Sequence, residues 1–271
     1  MHSLRIMHIG VIGCGFVGGS LVECFKEKGN TIYSYDKFKN IGTLEEVIEN
    51  SEIIFLCLPT LYDEEKKCYD TTAIEETCTA LARNGCNKPI VIKSTVTPGT
   101  CDNLAQKHNL QIVHNPEFLT ASTALYDFKN QNHIVIGSTK SVTDEALSDV
   151  RNFYALSFKT AAISMCTAFE SEVMKLTCNC FYAVKVQFFN EIHALVEHDQ
   201  KSYDTVIDMC LKNGWIHPMH TKVPGTDGKY SFGGMCFPKD TRALCSYMEQ
   251  KGIINSILKG TVEEQRKMRE D

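Results

Sequence analysis

Residues 8–18 read HIGVIGCGFVG: an apolar run, then the glycine-spaced turn Gly13-Cys14-Gly15-Phe16-Val17-Gly18, which opens an amphipathic stretch over 17–29. A second apolar run, TIYSYD at 31–36, ends on Asp36. Each part of this strand-turn-helix-strand-acid arrangement has a physical task. Glycines permit a tight turn and close approach of a pyrophosphate, the helix N-terminus attracts its charge, and the acid bonds the adenosine ribose hydroxyls. By itself the spacing also fits a glycine-rich turn in some other α/β protein. In this context it predicts a dinucleotide site made by Gly13, Gly15, Phe16, Val17, Gly18 and Asp36. Asp36 would repel a 2′-phosphate, which favours NAD over NADP, while the nearby Lys37 and Lys39 pull the other way.

Working outward, short Ile/Val-rich runs recur at 52–58, 89–93, 111–113 and 133–137, with amphipathic stretches at 43–49, 71–84, 102–108 and 142–154. Continuous apolar strands alternating with helices imply an α/β protein with an N-terminal Rossmann-type parallel sheet, covered by helices on both faces. From 168 the pattern changes. About 30 residues pass without Gly or Pro, which as a helix would span roughly 45 Å and link domains or form a subunit interface. Helical stretches at 202–212, 240–250 and 253–269 surround a Gly/Pro-rich loop, 213–235, and predict a small all-α domain. The expected division is therefore 1–165, an NAD-binding Rossmann domain, and 166–271, a helical central and dimerisation domain.

Composition narrows the partners. The 271-residue chain is 43% hydrophobic and 23% charged, with a net charge of −5, so no basic excess points to nucleic acid or a membrane surface. No segment approaches the roughly 18 apolar residues of a membrane-spanning helix. Thirteen cysteines without a CxxC pair fit neither a disulfide framework nor a zinc site. A reducing, cytoplasmic compartment and no metal are expected.

Three loops follow predicted strands: Leu58-Pro59-Thr60, Ser94 to Thr100 (STVTPGT) and His114 to Thr120 (HNPEFLT). Singly they read as turn chemistry. Placed together at strand C-termini, where open α/β sheets bind ligands, they make Thr95 and Glu117 candidate site residues. On the long helix Glu172, Lys175 and Asn179 share one face, a pattern open to a buried site or a solvated stripe. Residues 231–241, SFGGMCFPKDT, set Cys236 after a Gly-Gly pair and just before Lys239-Asp240. A packing cysteine needs no such neighbours, whereas a thiolate nucleophile benefits from backbone donors, cations and close backbone approach. With a nicotinamide cofactor, such a thiol suggests oxidation of an alcohol to an aldehyde, capture as a thiohemiacetal, a second oxidation to a thioester, and hydrolysis to an acid.

GxGxxG with Asp36, CLPT, KSTVTPGT, NPEFL, the E-x-x-K-x-x-x-N helix ending in FFNE, and FGGMCFPKDT occur in one order across nearly the whole chain. As a set they resemble the UDP-glucose 6-dehydrogenase family of nucleotide-sugar dehydrogenases. The resemblance implies that Cys236 is the nucleophile and that Lys175 and Asn179 stabilise the developing oxyanion. It gives Asp240 a part in proton transfer, through a water shared with Thr95, and Glu117 the hydrolytic or base step. Pro59, Thr60, Thr95 and Lys239 would join the NAD contacts, and Glu117, Phe118, Leu119, Lys175, Asn179 and Gly233 would meet the sugar nucleotide. A homodimer through helix 168–198 and a uronic-acid product, UDP-glucuronate from UDP-glucose, are also implied.

The chain departs from that pattern in several places. Ala121 stands where the family has a second glutamate, and the segment after Asp36 is abbreviated. The family arginine upstream of the cysteine has no clear equivalent, His220 and Lys222 being the nearest basic residues. The family's second Rossmann-like, UDP-binding domain is not expected within these residues. Compact forms occur in viruses and phages, which would put the protein in a host cytoplasm. The alternatives are another sugar nucleotide, a β-hydroxyacid dehydrogenase that performs a single oxidation, or an NAD-binding protein that has lost catalysis.

Overall fold

In the computed structural model, which describes residues 6–269, the opening apolar run forms β1 (His8–Ile12) and the glycine turn leads into α1 (Phe16–Glu27). The chain continues through β2 (Thr31–Tyr35), α2 (Leu44–Asn50), β3 (Ile53–Leu56), a two-stranded hairpin of β4 (Tyr62–Asp63) and β5 (Cys68–Tyr69), and α3 (Thr72–Arg83). Next come β6 (Ile90–Ile92), α4 (Thr100–His108), β7 (Ile112–His114), α5 (Ala124–Lys129), β8 (His133–Ser138), α6 (Asp144–Ser157) and β9 (Ala162–Thr167). The long helix is α7 (Ala168–His198), followed by α8 (Tyr203–Lys212), α9 (Phe237–Gln250) and α10 (Ser256–Met268).

Seven strands form one sheet in the order β2-β1-β3-β6-β7-β8-β9. Five of its six junctions are parallel, as expected of a Rossmann-type sheet, and β7 and β8 run antiparallel. β9 was not anticipated. As an edge strand it leaves Met165 exposed and lacks the unbroken apolar run of its neighbours. The central strands are buried on both faces, as period-two alternation requires. Ile9, Val11, Ile53, Phe55, Val91 and Val113 pack on one side with α1, α5 and α6, while Ile12, Ile54, Leu56, Ile90, Ile92 and Ile112 pack on the other with α2, α3 and α4. Phe25 centres the first layer, its ring 4.7 Å from Phe153, 5.6 Å from Phe128 and 5.8 Å from Phe55.

Local chemistry sets several element boundaries. Thr43 and Glu46 form a capping box on α2, and Thr143 and Ser202 cap α6 and α8 through their hydroxyls. Pro238 lies in the first turn of α9, where its missing N–H costs nothing, so that helix begins before the expected residue 240.

By compactness the chain divides into residues 1–61 with 69–175 and residues 62–68 with 176–271, the division falling within α7. In the second unit Phe189, Tyr203 and Val223 form a small core with Ile192, Val196, Ile207 and Ile216 around them. Residues 62–68 belong to this unit because Tyr62 and Ser246 share a hydrogen bond of 2.7 Å and Arg242 pairs with Glu64 at 2.7 Å. The expected all-α domain thus also carries a short strap from the linker after β3.

Two stability outcomes follow from the first unit. Phe25→Ala should cost about 3–5 kcal/mol, read as a fall in the urea midpoint, and a change below about 1 kcal/mol would contradict the aromatic core. His114 is fully buried with Nδ1 2.8 Å from Ser171 Oγ, and burial, with Lys93 and Lys175 nearby, holds its pKa down to about 3. The unfolded chain takes up this proton near pH 6.5 and the folded chain does not, so stability present above pH 6.5 is lost as pH falls toward 3. Between pH 7.5 and 5 the loss is about 2 kcal/mol. Replacing His114 with Gln should flatten that dependence in urea titrations; an unchanged dependence would contradict a neutral buried imidazole.

Candidate active site

The glycine turn is built for a ligand at one position and for the protein at the other two. Gly13 has φ +89°, and a Cβ there would lie 2.5 Å from the Cys57 carbonyl oxygen; one on Gly18 would lie 1.8 Å from Gly13 O. Both are therefore demanded by the chain itself. A Cβ on Gly15 would meet nothing within 4 Å, and the N-terminus of α1 carries no side-chain cap. Open space over uncapped N–H groups is the room a pyrophosphate takes, so these residues fit a dinucleotide. Asp36, at the end of β2, accepts from Cys14 N (2.8 Å) through Oδ2 and from Phe38 N and Lys39 N (3.0 Å each) through Oδ1. Partial desolvation opposes its charge, but these backbone donors and the Lys39 ammonium outweigh it and hold the carboxyl below its usual range. Phe16 is exposed at the mouth of the turn.

The strand-end loops of the first unit are tied to one another. Ser94 Oγ donates to Leu58 O (2.6 Å) and accepts from Leu58 N (3.1 Å), and Thr60 Oγ1 donates to Thr95 O (2.7 Å). Thr60 and Thr95 are buried and Pro59 is exposed. Lys175 reaches back to the third loop: its ammonium donates to the Glu117 carbonyl, lies 3.4 Å from Glu117 Oε1 and sits 4.8 Å from the Phe118 ring centre. Glu117 Oε2 also accepts from Leu119 N at 2.6 Å. Sequence pattern left the helix face open between buried and solvated. Glu172, Lys175 and Asn179 are all buried.

Three polar side chains hold these loops: Glu172, read from the sequence only as part of a helix face, and Lys93 and Asn115, which the sequence reading did not single out. Glu172 accepts from Gly99 N (2.5 Å) and Cys101 N (2.8 Å), so a helical residue caps the start of α4; burial raises its carboxyl pKa despite those donors. Lys93 donates to Asn115 Oδ1 at 2.6 Å, and burial lowers its pKa to about 8. Asn115 in turn donates to Val135 O at 2.6 Å and accepts from Tyr154 OH. The available signal for Lys93 was a lysine closing an otherwise apolar strand, PIVIK.

In the second unit Asp240 is fully buried and accepts from Asn179 Nδ2 (2.6 Å) and from Lys239 Nζ (2.5 Å). Its amide donates to Cys236 O at 3.0 Å, the first turn of α9, so Cys236 is the N-cap residue. Gly234 precedes it at φ +78°, and Gly233 is half-buried. Of the thirteen cysteines, seven are buried, five half-buried and only Cys236 is exposed. Burial drives up the thiol pKa of Cys57, to about 12, and of Cys180, so these are packing residues.

Residues 34–155 match the model of the UDP-glucose/GDP-mannose dehydrogenase family, NAD binding domain, and residues 169–266 match that family's central domain. The UDP-glucose 6-dehydrogenase of Campylobacter jejuni is 30% identical over 240 residues, covering 86% of this chain and 57% of that protein's length. A UDP-glucose dehydrogenase structure from Pyrobaculum islandicum superposes with a TM-score of 0.84 at 23% identity, covering 97% of this chain and 68% of that one. The 3-hydroxyisobutyrate dehydrogenase of Mycobacterium tuberculosis shares the fold at 15% identity, with a TM-score of 0.78 over 97% of this chain and 94% of that one. With an NAD-binding domain and a central domain in family order, the chain belongs to the UDP-glucose/GDP-mannose dehydrogenase family.

Proposed function

We propose that the protein is an NAD-dependent nucleotide-sugar 6-dehydrogenase that oxidises UDP-glucose to UDP-glucuronate in two steps. The observation that carries this reading is the placement of Cys236, exposed at the N-terminus of α9 with the Asn179–Asp240–Lys239 cluster beginning one turn on. A helix N-terminus favours negative charge, so it suits a thiolate and the oxyanion formed when that thiolate adds to an aldehyde. The relatives named as UDP-glucose 6-dehydrogenases support the substrate.

NAD, when bound, accepts one hydride in each oxidation. The C6 hydroxyl first loses a proton and a hydride to become an aldehyde. The Cys236 thiolate adds to that carbon, and the resulting thiohemiacetal oxygen takes up a proton, with Lys175 and Asn179 supplying donors as charge develops. Loss of that proton and a second hydride leaves a thioester. Water then adds to the carbonyl carbon, the C–S bond breaks, and the acid leaves with the thiolate restored. Asp240, held by Asn179 and Lys239, orients the water. Ala121 carries no carboxylate, so Glu117 is the acid of the NPEFL loop left to assist hydrolysis.

The exposed side of α7 supports a homodimer. Thr177, Phe181, Phe188, Glu191 and Leu195 are exposed and Val184 half-buried, a spacing of alternating four and three residues. Phe181, Phe188 and Leu195 are 61%, 53% and 60% exposed, a seam suited to a second copy of the same helix.

Incubation with NAD and UDP-glucose should release about two reduced cofactors per sugar, as the two oxidations require. No turnover with any sugar nucleotide would sink the reading. Cys236→Ser should stop the reaction after the aldehyde, at about one reduced cofactor per sugar; an unchanged yield of about two in that variant would remove Cys236 from the reaction, and about one from the parent would favour an enzyme of single oxidation. Phe188→Glu should yield a folded monomer in sedimentation velocity; a dimer that persists would remove α7 as the interface.

A further inference from the structure

Phe38 is 91% exposed, a display that the dinucleotide loop as described does not explain. The turn that carries it is closed on all sides. Asp36 N donates to Ile41 O (3.0 Å) and Ile41 N to Asp36 O (3.2 Å), forming an isolated antiparallel bridge. Within it, the Asp36 carboxylate accepts from the amides of Phe38 and Lys39. Asn40 adopts φ +51°, and Gly42 lies so close to β2 that a Cβ would come within 2.1 Å of Ser34 O. The backbone presenting Phe38 is thereby fixed, so exposure of its ring is a property of the turn.

The same carboxylate links this turn to the phosphate loop, since its other oxygen accepts from Cys14 N. A dinucleotide with its pyrophosphate over Gly15 places the adenosine ribose at Asp36. The base attached to that ribose is a flat, weakly hydrated heterocycle, and Phe38 stands two residues beyond Asp36 with its amide bonded to the same carboxylate. Lys39 is drawn away from the base, with its ammonium 2.6 Å from Cys14 O. We propose that Phe38 is the adenine platform of the cofactor site: its ring stacks on the purine and supplies affinity for the adenosine half of NAD, independently of the chemistry at Cys236.

The test is isothermal titration of the full chain with NAD, ADP-ribose and nicotinamide mononucleotide. Phe38→Ala should weaken ADP-ribose and NAD about tenfold or more, the effect of removing one base-aromatic stack, and leave nicotinamide mononucleotide unchanged. Phe38→Trp should restore binding and report ADP-ribose by fluorescence quenching. Phe38 lies outside the core, so Phe38→Ala should keep the parent's thermal midpoint and circular dichroism. Native spectra with unchanged ADP-ribose affinity would overturn the proposal and leave Phe38 as surface for a protein partner, while the reading of the dinucleotide loop would stand. Equal weakening of all three ligands would overturn it as well, since a stacking contact acts on the adenosine half alone. Absence of NAD binding by the unsubstituted chain would overturn both.

Discussion

Asp240 is fully buried, and a carboxylate removed from water is tolerated only where other donors replace its hydration. Lys239 and Asn179 supply them, one from the same helix and one from α7, so satisfying this group locks α9 against the long helix. Cys236 lies one turn earlier in α9, and its carbonyl accepts the Asp240 amide. Its position at the start of α9 is therefore tied to the turn that carries the buried carboxylate. Removal of either donor would take a hydrogen bond from a buried carboxylate, which is destabilising on structural grounds before any chemistry is considered.

The first unit applies the same logic at the C-terminal ends of its strands. Thr60, Lys93, Ser94, Thr95, His114 and Asn115 are buried polar residues on or just after β3, β6 and β7. Burying them is unfavourable unless they are hydrogen-bonded, and Thr60 bonds Thr95 O, Ser94 bonds Leu58, Lys93 bonds Asn115 and His114 bonds Ser171. The sheet thereby pre-positions the loops that an open α/β fold uses for ligands, with Lys175 and Glu172 fastening two of them to α7. The glycine turn completes this edge with two residues that the protein's own packing demands and one that leaves space.

Much of this was legible in the sequence because it depends on short-range constraints. Tight turns force glycine, doubly buried strands force unbroken Ile/Val runs, and the Gly-Gly-x-Cys setting marks a thiol with no packing role. Other features depend on partners distant in sequence. β9 pairs along one edge and is half solvated, so AISMCT carries no strand signature. β8 turns antiparallel through pairing with β7, which no local pattern encodes. Residues 62–68 join the second unit through Ser246 and Arg242, contacts separated by well over a hundred positions. Glu172 read as one polar residue on a helix face until Gly99 and Cys101 were seen to bond it.

In the proposed mechanism Cys236 alone among the thirteen cysteines becomes covalently attached to the sugar nucleotide. The most direct measurement is peptide mapping by mass spectrometry of protein quenched in acid during turnover of UDP-glucose with NAD. A UDP-glucuronyl thioester on the peptide bearing Cys236 is the predicted result. Completed turnover with Cys236 unmodified throughout a rapid-quench series, or with the adduct on another cysteine, would contradict it.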